Sequence, residues 1–292
     1  MSKVPNQASK EIDEIFVTPA PDSKNFLEIF SQLNNGLSNA KWKEVKSKTG
    51  KQEELQILID TALQLSNSKK AQLFRKNDNA DDTLIAIWLS NILTCAKIKL
   101  IQGRVRTFTG LSPEDIRNIA LMSTDEQSPK YLADFLAEHF GIILVMDRGF
   151  TGMKLDGLVT KLTGGNPLIG LSLRYARYNN FWFTLLHELS HIALHDDKLD
   201  AVIYDDFDEI DNSEIEVEAN RLAADSIIPR YLFNKSPALR SSADIHIYTL
   251  AEQSQVHPVL VAGAMQHYTK NYRNFSGIVN SIDVRAILGV GQ

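Results

Sequence analysis

Cysteine is nearly absent from this sequence, since Cys95 is the only one among 292 residues. A single cysteine excludes an internal disulfide bond and a metal site built from several thiolates. Cys95 lies within an apolar run, residues 84–100, and we expect a buried thiol that takes no part in chemistry.

The sequence also lacks an excess of positive charge, an apolar leader and a long hydrophobic run. The formal net charge is −5 and the isoelectric point is about 5.8, so the chain as a whole is not attracted to nucleic acid or anionic membranes. Residues 1–13 are polar and contain no secretory h-region. No stretch reaches about 18 uninterrupted apolar residues, the length of a membrane span. We expect a cytoplasmic protein without a membrane partner, and we do not expect this chain alone to bind DNA.

What is present is the composition of a globular protein with a sizeable core, because apolar residues make up 43% and charged residues 23%. The periodicity is helical, then extended around residues 142–173, then helical again. This order favours an α+β fold that is mostly helical with a small antiparallel sheet. We predict a helical N-terminal region over residues 1–110, with a loose tail at 1–25, and one further domain over residues 111–292.

Local signals predict the boundaries of several elements. Ser112 and Pro113 are typical of a helix start, with the serine as N-cap and the proline in the first turn. The sequence Gly-Gly-Asn at 164–166 indicates a turn between two strands, hence a hairpin. The predicted helices lie at 81–101, from Pro113 onward and at 129–139, and we expect Gly141 to end the last of them. The predicted strands lie at 142–146, 157–162 and 167–173.

Two segments carry features of nucleic-acid binding. Residues 41–51 contain five lysines around Trp42. Glu53 and Glu54 follow at once, which favours the solvated face of a helix. Residues 250–261 have the rhythm of a helix-turn-helix, but we favour a packed helical hairpin there.

The sequence His-Glu-Leu-Ser-His at 187–191 is the strongest chemical signal. On a helix, His187 and His191 lie one turn apart on the same face, so both imidazoles can bind one zinc ion at about 2.0–2.1 Å. Glu188 is the next residue along, placed to reach a zinc-bound water rather than the metal. The apolar flanks predict a buried helix, and a metal would offset the cost of burying these polar groups.

A catalytic zinc ion needs a third protein ligand and one open position. His195 lies about 12 Å from His187 along a helix axis, too far to share the ion. We expect it beside the site or, preferably, at the surface. The metzincin pattern requires glycine where Leu194 stands and histidine where Asp197 stands. The third ligand is therefore expected downstream.

A second predicted helix, residues 214–225, offers that ligand. Glu216 and Asn220 share a face, which places a carboxylate on the metal and an amide where it can hydrogen-bond a ligand imidazole. Glu214 and Glu218 are the alternatives. A run of glutamates is also typical of a helix N-terminus without any metal, because the helix dipole favours negative charge there.

Together these residues resemble the ImmA/IrrE metallopeptidase family. The matching motifs are His-Glu-Leu-Ser-His at 187–191, Glu-x-Glu-Ala-Asn-Arg-Leu-Ala at 216–223 and Ile-Pro at 228–229. The lead-in at 174–184, Arg-Tyr-x-Arg-x-x-Asn-Phe-Trp-Phe-Thr, is similar to that of longer, antitoxin-like members.

The resemblance covers roughly residues 73–288. It implies a compact zincin-like domain of gluzincin type and cytoplasmic proteolysis of regulators, often phage or mobile-element repressors. The longer members carry an N-terminal helix-turn-helix, and residues 1–72 contain no such pattern, which counts against a DNA-binding role.

The sequence thus predicts a zinc-dependent endopeptidase with one zinc ion per chain and Glu188 as the base. Arg177, Tyr178 and Tyr204 are candidate donors to the oxyanion. The substrate backbone could add to an edge strand of the sheet, for which residues 168–173 are the candidate. The alternative is a metal-containing binding module, antitoxin-like or regulatory, that holds a protein partner without cleaving it.

Overall fold

The computed structural model describes residues 23–34, 37–50, 53–66, 80–199, 203–205 and 213–290. Most of the predicted loose tail at 1–25 lies outside these residues, and its last residues begin the first helix. The helices before the sheet are α1 (Ser23–Asn34), α2 (Asn39–Lys48), α3 (Glu54–Ser66), α4 (Ala80–Ile101), α5 (Pro113–Leu121) and α6 (Leu132–Phe140).

The remaining elements are a small sheet and the helices that follow it. The strands are β1 (Ile143–Met146), β2 (Gly157–Lys161), β3 (Pro167–Leu171) and β4 (Ile203–Asp205). The helices are α7 (Tyr178–His195), α8 (Glu214–Ile227), α9 (Arg230–Phe233), α10 (Asp244–Ser254), α11 (Pro258–Thr269), α12 (Ser276–Val279) and α13 (Val284–Leu288).

Local capping signals placed two helix ends correctly. The Ser112 hydroxyl accepts a hydrogen bond from the Asp115 amide at 3.2 Å, and the Asp115 carboxylate accepts one from the Ser112 amide at 2.9 Å. This reciprocal pair satisfies amide groups that a helix start leaves unbonded. Gly141 ends α6 with a left-handed φ of 71°, a conformation that favours glycine.

The sheet has the order β1-β3-β2-β4 and is mixed. β2 pairs antiparallel with β3, as the predicted hairpin requires, and antiparallel with β4. β1 pairs parallel with β3, so the prediction of an antiparallel sheet is wrong for this pair. After β1, residues 147–156 cross over the position of β3, so that β2 forms one strand further along the sheet. The hairpin turn after β2 then brings β3 back between them, in the same direction as β1.

The sheet separates two apolar cores, because successive side chains of a strand point to opposite faces. Leu144, Val159 and Ile169 pack in the core that contains α7. Val145 and Leu158 pack on the other face, in the core that contains α4. The N-terminal helices therefore cover one face of the sheet. The predicted domain boundary near residue 110 stays a prediction.

Helix α4 is long and apolar enough to cross a membrane by length and composition, but half of Asp82–Ile101 is buried within the fold. Trp88 is fully buried and its ring lies against Gly170 of β3. Cys95 is exposed, so the expectation of a buried thiol is wrong. Its apolar sequence neighbours point to the core, whereas Cys95 occupies the outer face of the helix.

Four of the five lysines of residues 41–51 lie on α2, and Lys51 lies outside the described residues. One of the four, Lys48, binds the connection between β1 and β2. Lys48 Nζ donates to the carbonyls of Arg148 and Gly149, each at 2.7 Å. It also lies 5.0 Å from the centroid of the Phe150 ring. Lys48 therefore helps to pack α2 against the connection between β1 and β2.

Helices α10 and α11 form the packed hairpin that we favoured over a DNA-binding motif. Gln255 joins them with a φ of 51°. The first turns of α11 are buried, and a Cβ on Gly263 would lie 2.5 Å from the Asn179 side chain of α7. This helix packs against the site helix and does not present its N-terminal half to solvent.

Candidate metal centre

Helix α7 carries two histidines into the interior of the protein. His187 and His191 are both fully buried. Their ring centroids are 4.6 Å apart and their Nε2 atoms 2.9 Å apart. One helical turn therefore aligns the two imidazole nitrogens on one point, as the spacing predicted.

Helix α8 brings a carboxylate to the same point. Glu216 Oε2 lies 3.1 Å from His187 Nε2, and Oε1 lies 3.4 Å from His191 Nε2. Glu214 and Glu218 are exposed, which leaves Glu216 as the glutamate of this run that enters the site.

Close packing of α8 on α7 explains why Glu216, and neither Glu214 nor Glu218, enters the site. Ala219 and Ala223 are fully buried on the same face as Glu216, and their small side chains let the helix backbones approach. The far end of α8 is held by Arg117 of α5, which donates to the carbonyl of Ser226 at 2.7 Å and to that of Ser254. Both carbonyls lie at helix C-termini, where a positive charge is favourable.

The three donor atoms of His187, His191 and Glu216 lie within 4.8 Å of one another. Burial by itself raises the pKa of Glu216, but hydrogen bonds to the two imidazoles outweigh this and lower its pKa well below the usual range. The carboxylate is therefore ionised at neutral pH. Two imidazole nitrogens and one carboxylate oxygen form a donor set that suits a divalent metal ion.

Glu188 lies beside this donor set and against the sheet. It is fully buried, and its carboxylate faces Gly157 of β2. A Cβ at residue 157 would overlap Glu188 Oε1 and lie 2.7 Å from Thr184 Cγ2. Glycine is therefore required at 157 because the strand and the site helix are in direct contact there.

The change Gly157→Ala is expected to damage the site through this contact. The methyl group must displace Glu188 or push β2 away, which costs about 1–3 kcal/mol of unfolding free energy. If Glu188 is the base that the sequence predicts, a displacement of about 1 Å lowers the rate of peptide cleavage by about 100-fold. Urea unfolding measures the loss of stability, and the rate of peptide cleavage measures the damage to the site.

Gly164→Ala is the matched control, because the nearest atom to its added Cβ is Asn166 Oδ1 at 3.9 Å. It should leave the cleavage rate unchanged. If Gly157→Ala behaves like this control in both measurements, the contact between β2 and Glu188 does not require glycine at residue 157.

His195 is buried, not at the surface as we expected, with 4% of its area exposed. Its Nε2 donates to the carbonyl of Ile215 at 3.3 Å and lies 3.6 Å from Glu218 Oε2. The bond joins the end of α7 to the residue before Glu216. His195 is thus placed to hold the carboxylate ligand in position without touching the metal itself.

The three candidate oxyanion donors lie in different places. Tyr178 is fully buried and its hydroxyl donates to the Ser123 carbonyl at 2.9 Å, so the hypothesis that it serves the oxyanion is wrong. Arg177 is exposed at the start of α7. Tyr204 lies in β4, paired with Leu158. Asn220 lies half-buried one turn after Glu216, and its predicted hydrogen bond to a ligand imidazole is absent among the described residues.

Strand β3 lies between β1 and β2, so residues 168–173 do not offer a free edge for a substrate strand and that prediction is wrong. Within the described residues, the edges of the sheet are β1 and β4. The prediction failed because a hairpin signal indicates that β2 and β3 pair, but does not indicate which strand pairs with the other side of β3. Sequence analysis missed Gly157 as a site residue, and of the two positions it considered for His195 it preferred the wrong one, the surface. The only signal for Gly157 was its position at the start of a predicted strand.

A comparison with known protein families matches the part of the chain that holds the site. Residues 126–263 match a peptidase family model, described as the IrrE N-terminal-like domain. The matched segment runs from the residues before α6 to the middle of α11. It contains the four described strands, the three clustered donors, Glu188, Gly157 and His195. A search of curated proteins found no match. The resemblance inferred from the motifs is thus confirmed for residues 126–263, a shorter segment than the predicted 73–288, and this part of the chain is similar to the IrrE N-terminal-like peptidase domain.

Proposed function

We propose that the chain is a zinc-dependent endopeptidase that cleaves a regulatory protein, such as a repressor or an antitoxin-like protein, in the cytoplasm. The main support for this proposal is that the side chains of His187, His191 and Glu216 converge at one buried point, with Glu188 beside them. The match of residues 126–263 to a peptidase family model supports this proposal. A regulatory substrate, in phage or stress response, is supported by the family resemblance alone.

The residues fit a zinc ion because two imidazoles and one carboxylate are the three protein ligands that a catalytic zinc site requires. When bound, the ion supplies Lewis-acid polarisation of the scissile carbonyl and a lowered water pKa. Glu216 stays ionised to hold it, and His195 fixes Glu216 through the Ile215 carbonyl.

Glu188 performs the proton transfers. Its carboxylate takes a proton from the attacking water, and the same oxygen later returns that proton to the amine that leaves. Its contact with Gly157 holds the carboxylate at the sheet side of the site. Arg177 and Tyr204 remain our candidates for the donor that stabilises the oxyanion. A substrate strand paired with the edge strand β4 would run beside β2 and this carboxylate.

A second function is favoured by one observation. The side chains of His187, Glu188 and His191 have no exposed surface, and a peptide bond must reach them to be cleaved. A metal-containing module that binds a protein partner without cleaving it needs no such access. The two functions differ in whether a peptide bond is broken.

The test is cleavage of a peptide library prepared by tryptic digestion of a proteome. Protein stripped with a chelator should produce no new peptide termini, and addition of about one zinc ion per chain should restore cleavage. Mass spectrometry of new termini gives the readout. Zinc-loaded protein that binds one ion per chain and cleaves nothing would support the binding module instead.

A further inference from the structure

Strand β2 is the part of the sheet that touches the proposed catalytic base. A Cβ at Gly157 would overlap Glu188 Oε1, and the side chain of Glu188 has no exposed surface. A substrate strand that forms hydrogen bonds with β2 at Gly157 would therefore bring a peptide bond next to Glu188. Access for such a strand depends on the two edges of β2.

The backbone groups of β2 alternate between these two edges. Leu162 donates its N–H to the Asn166 carbonyl at 2.9 Å, on the side of β3. Lys161 donates its N–H to the Leu199 carbonyl at 2.8 Å, on the opposite side. Because successive residues of a strand point their backbone groups to opposite sides, the odd-numbered residues of β2 all face away from β3.

Strand β4 occupies the side of β2 that faces away from β3. Asp205 lies opposite Gly157, and Ile203 lies opposite Val159. β4 thus pairs with the backbone groups that a substrate strand would need next to Glu188. A substrate strand that pairs with the outer edge of β4 runs alongside β2 but lies about 9–10 Å from it. Such a strand can dock there, but its peptide bonds do not reach Glu188 while β4 lies between.

β4 has the shortest pairing of the described strands. It pairs with β2 over three residues, whereas β3 pairs with β2 over five and with β1 over four. The chain before β4 is held more firmly, since Lys161 Nζ lies 2.6 Å from Asp196 Oδ2 and the Lys161 N–H bonds the Leu199 carbonyl. β4 can therefore leave β2 at the cost of few hydrogen bonds, while the chain at Leu199 stays in place.

We propose that β4 is a built-in inhibitory strand that occupies the place of the substrate on β2, and that cleavage requires an extended segment of the substrate to replace it. The proposal rests on the proposed peptidase function. Replacement of β4 gives a peptide bond access to side chains that have no exposed surface in this structure. The substrate is then a protein with an extended segment, because only such a segment forms the backbone hydrogen bonds that β4 gives up.

A reversible lock tests whether β4 must leave. Val159→Cys combined with Ile203→Cys, in a Cys95→Ser background, places one cysteine on each strand at directly opposite positions. Opposite Cα atoms are about 4.5–5.5 Å apart, a distance that a disulfide spans. The oxidised, zinc-loaded protein should cleave the tryptic peptide library about 100-fold more slowly than the same protein after reduction. Each single-cysteine variant is the matched control and should cleave equally with and without reductant.

Hydrogen exchange of the zinc-loaded wild-type protein gives a readout that does not depend on cleavage. Because β4 is held by few bonds, the amides of Gly157 and Val159 should exchange about 100-fold faster than those of Leu158 and Thr160, after correction for intrinsic rates. The last two amides belong to the same strand but face β3, which makes them the internal control.

Each failure has a distinct signature. Equal exchange of the two sets of amides, or oxidised protein that cleaves as fast as reduced protein, overturns the inhibitory role of β4 but leaves the peptidase function standing. Zinc content and circular dichroism, measured on both redox forms, should be the same. Absence of cleavage by the zinc-loaded wild-type protein and by the reduced variant overturns both proposals.

Discussion

Glu188→Gln is expected to lower the rate of peptide cleavage by about 10²–10⁴-fold, the usual contribution of a general acid–base residue. Glutamine has nearly the same shape and fills the space against Gly157. Its amide cannot take a proton from water. Because Glu188 is not among the three clustered donors, the variant should still bind about one metal ion per chain.

The measurement is the rate of appearance of new peptide termini, with metal content determined on the same preparation. Glu218→Gln is the control, since Glu218 lies on α8 near the site but is exposed, and it should retain the wild-type rate. A Glu188→Gln variant that cleaves at the wild-type rate would mean that another group is the base. A variant that loses its metal would mean that Glu188 is a ligand.

The parts of the fold that sequence predicted correctly are those that local chemistry determines. Ser112 and Gly141 mark helix ends because capping depends on a few neighbouring residues. His187 and His191 meet because an i, i+4 spacing is fixed by the helix alone. The position of Glu216 beside them also followed from spacing, given that the helix must bury its alanine face. Its role as a metal ligand stays a prediction.

The errors concern contacts between elements that are distant in sequence. Whether β3 is an edge or a central strand depends on which strand arrives beside it, and the parallel partner β1 comes from before the hairpin. His195 is buried because the start of α8 packs over it, which no property of α7 indicates. The need for glycine at 157 arises only when β2 is placed on α7.

The N-terminal helices lie outside the matched family segment, but they pack on the sheet that belongs to it. Their core includes Val145 and Leu158 from the sheet, so they cover a face that would otherwise expose apolar side chains. A protein that used the family domain alone would need another cover for this face. The described helices before residue 110 therefore support the sheet on which the site is built.

Glu216→Ala is expected to remove most of the bound metal, and with it all cleavage. The alanine leaves two imidazoles, which is one ligand fewer than a catalytic zinc site requires. The substitution also removes the negative charge that partly balances the positive charge of a metal ion in this buried site. Metal content after dialysis against a weak chelator should fall from about one ion per chain to nearly none, with the helical circular dichroism signal retained.

Glu214→Ala and Glu218→Ala are matched controls on the same helix, because both side chains are exposed. Glu214→Ala should keep the metal completely. Glu218→Ala should keep it as well, although its carboxylate lies 3.6 Å from His195, since His195 still donates to the Ile215 carbonyl. If metal is lost equally in all three variants, charge at the start of α8 rather than ligation by Glu216 governs the site. If Glu216→Ala retains the ion, the third ligand is another residue and the gluzincin assignment is wrong.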